Sequence, residues 1–242
     1  LKEEKDTLLS PPFLLFMSKL SFYCWIFVLS MLTLLTFPYF LHILSIIFLS
    51  KRFSVWSQLE MYKWMACGFC LFFFLRTLIR KNLTWFETFS HELTHIVVAL
   101  LLFRKVHSFH AEEDSGVVYT SSSSQNGLIP MALAPYCLPI FTYLFLILRP
   151  LVAFNGLWVI DIMIGISVAF HMGCFRHQTG KYQTDINQYP LYFSYAYIYV
   201  ARLINGCIIA VTFFPHYNVF TSAWRLLCAI YGNFIVFCGW LF

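Results

Sequence analysis

Residues 21–49 form a run of 29 positions without a single Lys, Arg, Asp or Glu. A helix needs about 20 apolar residues to cross a bilayer, so this run is long enough to span one. Pro38 is expected to kink or divide it. Further apolar runs, each with at most two charged residues, follow at 64–79, 85–103, 128–148, 151–174, 191–214 and 222–242, with polar connectors at 50–63 and 175–190. A mixed-charge lead, residues 1–19, precedes them, and Pro11 and Pro12 discourage a helix start before Phe13. Composition agrees: 60% of the chain is hydrophobic and 11% charged, whereas about a quarter of a soluble domain is charged. The expected fold class is an all-α polytopic membrane protein with six or seven transmembrane helices. It forms one membrane domain over residues 1–242.

The net charge of +5 follows from Lys and Arg scattered between spans, as membrane flanks require, and no basic run exceeds two residues. Nucleic acid is therefore not an expected partner; the lipid bilayer is. Apart from Arg202 and Arg225, Lys and Arg divide seven to seven between the two sides, so charge does not select an orientation. The eight cysteines all fall in or at the ends of apolar segments and read as small hydrophobes, including the Cys67-x-x-Cys70 pair. Position 1 is Leu, which leaves open whether the natural start lies upstream, and the first apolar run is too long for a cleavable signal.

Within the third run stands His91-Glu92-Leu93-Thr94-His95. Residues four apart share a helix face, so both imidazoles can reach one metal ion, with Glu92 beside them as a proton acceptor. A five-residue pattern arises by chance, and a histidine can serve packing alone. Three such side chains in an apolar span are nonetheless costly, which favours a functional site. The following segment, residues 106–127, holds His107, His110, Glu112, Glu113 and Asp114. Gly116, Val117, Val118, Tyr119 and Thr120 come next, then the serine run 121–124. It reads as a short β-hairpin beside the membrane or as a solvated loop. As a hairpin it must rest on protein or in a wet cavity, where its edge can pair with an extended peptide.

A catalytic zinc has three protein ligands and an open position. The candidates for the third are Asp161, His171, His177 and Asp185. The third and fifth spans run in the same direction, and Asp161 is about as far into its span as the motif is into its own. Depth therefore ranks Asp161 first. Asp185 is second, because Gln183-Thr184-Asp185 also reads as an N-cap ahead of the sixth span. His171 and His177 are candidates for supporting or water-relay groups.

This ordering resembles the site-2 protease-like zinc metallopeptidases of the membrane. The resemblance rests on His91-Glu92-x-x-His95, the hairpin candidate at 116–120, Ala134-Pro135 on the next helix, and Asp161, and it covers roughly residues 83–175. It implies a small β-hairpin after the motif helix and a peptidase-like core at about 83–175. Residues 1–82 and 191–242 are then accessory helices. It implies Zn2+ held by His91, His95 and Asp161 (Asp185 as second choice), Glu92 as general base, and hydrolysis of membrane-protein or membrane-peptide substrates. The implied location is a multi-pass protein of a bacterial cell membrane. Asn155 to Asp161 lacks the family's intervening proline, and Ile162 stands where that family has Gly. The rival readings are a membrane metal transporter and a catalytically inactive scaffold of the same family.

Overall fold

The computed structural model describes residues 19–49, 55–112, 116–120, 128–179, 183–214 and 216–241. Pro11, Pro12, Lys51, Arg52, Glu113, Asp114, the serines at 121–124 and Lys181 lie outside the described residues. The chain forms α1 (Lys19–Leu49), α2 (Val55–Leu78) and α3 (Arg80–Leu101), then β1 (Val106–Ala111) and β2 (Gly116–Thr120). It continues through α4 (Leu128–Cys137), α5 (Ile140–Leu148), α6 (Leu157–Gln178), α7 (Thr184–Asn187), α8 (Leu191–Thr212) and α9 (Val219–Leu241). Among the described residues four helices, α1, α6, α8 and α9, are long and apolar enough to cross a membrane, and the bent pair α4–α5, taken as one span, makes a fifth. The chain is a multi-pass integral membrane protein, mostly helical, with one small antiparallel sheet.

Pro38 does not divide the first run: α1 is continuous through it. Hydrocarbon offers carbonyls no substitute partner, so losing one ladder bond costs less than ending the helix would. Ser30 and Thr33 likewise donate to carbonyls of their own helix, those of Ile26 and Leu29, each at 2.8 Å. The 128–148 run, by contrast, is not one straight span. It bends by 73° between α4 and α5, where Pro139 removes a donor. The Cys137 carbonyl at this break accepts the Asn205 side-chain amide of α8 at 2.9 Å. Asn205 Oδ1 in turn accepts the Tyr143 hydroxyl of α5. A broken helix inside a membrane protein needs this kind of re-pairing.

The α2–α6 contact is set by two glycines. A Cβ on Gly68 would fall 2.0 Å from the Ile162 carbonyl oxygen, and one on Gly165 would fall 2.0 Å from that of Met65. Backbones can approach this closely only where side chains are absent. Next to this pair, α3 is not aligned end to end with α6. Its first turns lie beside the last third of α6, with the Phe86 and Phe170 rings 5.1 Å apart. Leu83, Phe72, Phe170 and Cys174 are buried together there. A second core joins α1, α4, α7 and α8 through Leu29, Leu133, Tyr136, Ile186 and Phe193.

The hairpin forms: β1 and β2 pair antiparallel, with Ala111 opposite Gly116 and His110 opposite Val117. The register shifts between Val106 and Ser108, where a bulge bends the strand. It rests on α3, with the Phe109 ring edge-on to Phe89 at 5.9 Å, so the sheet leans on protein and not on lipid alone.

Candidate metal centre

Four polar residues of α3 point inward. Glu87, His91, Glu92 and Thr94 are buried, while Trp85, Leu100 and Leu101 are exposed. Helical spacing puts His91 and His95 on one face, their ring centroids 4.9 Å apart. Both Nε2 atoms converge on a single carboxylate oxygen, Asp185 Oδ2, at 3.2 Å from His91 and 3.4 Å from His95. Among the described residues these three form the one group of His, Cys, Asp or Glu side chains able to hold a metal ion, with ligand atoms all within 4.8 Å. Two imidazole nitrogens and a carboxylate oxygen fit a divalent transition metal with a position left for water.

Asp185 reaches the motif because residues 183–190 do not stay outside as a plain loop. The segment folds back as α7, and Ile186 anchors it in the core with Leu133, Tyr136 and Phe193. Ser194 Oγ donates to the Ile186 carbonyl at 2.8 Å. The capping role that competed for Asp185 is not taken: the residue lies in the first turn of α7, and the cap position of α8 is Pro190. Tyr136, fully buried on α4, directs its hydroxyl to Asp185 Oδ2 at 3.5 Å and turns its ring edge-on to His91. Burial raises the Asp185 carboxyl, but hydrogen bonds from His91 and His95, with their charge, outweigh it and hold the group well below the usual carboxylate range.

Asp161, ranked first on depth, lies elsewhere. It forms a two-point ion pair with Arg149, Oδ1 to Nε at 2.7 Å and Oδ2 to Nη2 at 3.3 Å. The geometric order of the two aspartates is thus the reverse of the expected one. Depth counting assumed that the third and fifth spans start at the same membrane surface. In fact Phe86, in the second turn of α3, lies beside residue 170, so the motif is level with the C-terminal end of α6, while Asp161 is near the N-terminal end. His171 has a buried Nε2 with no hydrogen-bond partner. His177 joins a cluster with Arg76 and Glu87, 2.6 Å from the Arg76 guanidinium and 3.7 Å from a Glu87 oxygen. Neither histidine belongs to the ligand group.

Glu92 is buried against the hairpin. A Cβ on Gly116 would fall 2.4 Å from both its Cγ and its Oε1, so the start of β2 passes directly over this carboxylate. Sequence reasoning missed Glu87, Gln178 and the Met131 carbonyl. Gln178 Oε1 is 3.1 Å from His91 Nδ1, and its Nε2 donates to the Glu87 carbonyl at 3.2 Å. The Met131 carbonyl is 2.8 Å from His95 Nδ1. Glu87 was discoverable, since it stands one helical turn before His91 on the same face. Gln178 carried no local signal.

With this geometry in place, residues 64–180 match the family model described as Peptidase M50B-like, in keeping with a site-2 protease-like family. The matched stretch contains His91, Glu92 and His95 and stops short of Asp185. Comparisons with curated proteins and with solved structures gave no match.

Proposed function

We propose that this integral membrane protein, Peptidase M50B-like over residues 64–180, is a zinc-dependent endopeptidase that hydrolyses peptide bonds of membrane-embedded substrates. The observation that carries this reading is the convergence of His91 Nε2, His95 Nε2 and Asp185 Oδ2 beside the buried carboxylate of Glu92. His91, His95 and Asp185 would hold the ion. When bound, zinc supplies Lewis-acid polarisation of the scissile carbonyl and acidifies a water. Glu92 takes the proton of the attacking water at its carboxylate and passes it to the leaving nitrogen as the peptide C–N bond breaks. A substrate must be extended to expose its carbonyl, and the β1–β2 hairpin offers an edge for such pairing next to Glu92. Burial of Glu92 and His91 keeps bulk water from the proton transfer.

The catalytic unit in this reading extends past the 83–175 core to Asp185, with α1, α8 and α9 as accessory helices. A metal-transport reading calls for successive ligand groups along a path, and the described residues present one group. The decisive experiment uses the full chain in lipid nanodiscs. Wild type should hold one zinc per chain and cleave membrane-segment peptides. Glu92→Gln should keep the zinc and lose cleavage by about 100-fold or more, the share of a positioned general base. A wild type without zinc, or a Glu92→Gln protein cleaving at the wild-type rate, refutes the proposal.

A further inference from the structure

Because His91 and His95 turn their Nε2 atoms toward Asp185, both Nδ1 atoms face away from the ligand group, and each meets an oxygen that cannot donate. For His91 this is the side-chain oxygen of Gln178 at 3.1 Å. The orientation of that amide is itself set, because its nitrogen end donates to the Glu87 carbonyl at 3.2 Å. For His95 the acceptor is the Met131 carbonyl at 2.8 Å. Each contact requires the imidazole proton on Nδ1, which leaves a lone pair on Nε2 in the neutral ring.

The Met131 carbonyl is available for a reason written in the sequence. In an α-helix a carbonyl accepts from the N–H four residues on. Four residues after Met131, inside α4, stands Pro135, which has no N–H. The carbonyl released by this proline is the one His95 uses.

We infer that Gln178 and Pro135 are positioning residues of the metal centre: together they hold both histidines in the tautomer whose Nε2 can ligate. Gln178 acts by direct acceptance from His91. Pro135 acts through the backbone, by freeing the Met131 oxygen for His95. The inference rests on the metal-centre reading above, and its test separates the two.

The test takes the full chain in nanodiscs, with Zn2+ affinity measured by chelator competition and the tautomers of the metal-free protein read from imidazole nitrogen NMR. In metal-free wild type both histidines should carry a proton on Nδ1, whether or not the contact with Asp185 also holds one on Nε2. Gln178→Leu should lose that signature at His91 alone, and Pro135→Ala, which restores an N–H inside α4, at His95 alone. Each should weaken Zn2+ binding about 10–100-fold, the usual effect of removing an outer partner of a ligating histidine. Gln178→Glu, which keeps an acceptor oxygen, should bind Zn2+ more tightly than Gln178→Leu. Equal affinities for Gln178→Glu and Gln178→Leu overturn the inference, even if Pro135→Ala does not fold. So do variant spectra identical to wild type. If wild type binds no Zn2+, the metal-centre reading fails, while the spectra still decide whether Gln178 and Pro135 set the tautomers.

Discussion

Gly116 has no side chain, and Glu92 occupies the space that one would need. A methyl group there would lie 2.4 Å from the Glu92 carboxylate oxygen Oε1. The flexible end of Glu92 can retreat, so Gly116→Ala should fold and keep its metal. In the proposed mechanism this displaces the proton acceptor, and a shift of about 1 Å in a catalytic group can cost ~100-fold in rate. Zinc content and cleavage rate, measured on the same preparation, check this; an unchanged rate would separate Glu92 from the chemistry. The two aspartates give a second contrast. Asp185→Asn should lose the metal while the fold persists. Asp161→Asn should keep the metal but leave the half-buried Arg149 without its carboxylate, and so lower stability in thermal or denaturant unfolding.

At the scale of elements, the α2–α6 seam carries the longest consequence. Gly68 and Gly165 each meet a backbone carbonyl oxygen of the other helix at 2.0 Å from an added Cβ, and backbone cannot rotate away as a side chain can. Gly165→Leu should therefore push the two helices apart. The expected cost is about 3 kcal/mol or more, beyond the usual range for overpacking. Because α6 ends in the Gln178 that contacts His91, zinc affinity should fall together with the unfolding temperature. Gly206, inside α8 with open space around it, is the control: Gly206→Ala should leave zinc affinity unchanged and not lower the unfolding temperature.

Across the whole molecule, the offset of α3 along α6 puts the candidate metal centre toward one end of the bundle. The ligand group, His177 and α7 cluster at the C-terminal end of α6, whereas Asn155 and the Arg149–Asp161 pair mark its N-terminal end. A helix of 22 residues extends about 33 Å at ~1.5 Å per residue, enough to separate two membrane surfaces. His177→Cys and Asn155→Cys, each in a cysteine-free background, should react with a membrane-impermeant maleimide from opposite sides of sealed vesicles. Labelling of both from one side would remove the α6 crossing on which this depth assignment stands.

The parts legible in the sequence were those governed by neighbours along the chain. Apolar length marked the helices, and the four-residue spacing of His91 and His95 put both on one face whatever the surroundings. The glycine and β-prone residues at 116–120 marked the hairpin. Pro135 also wrote its effect locally, by removing one donor from one turn of α4. Other features depended on where independent elements settle against each other. The bend at Pro139 needed Asn205 from α8 to become tolerable. The choice of Asp185 over Asp161 turned on how far α3 slides along α6 and on α7 folding inward over Ile186. No periodicity encodes that slide. It is set by glycine contacts and aromatic packing between helices distant in sequence, so only the tertiary structure decided which aspartate faces the histidines.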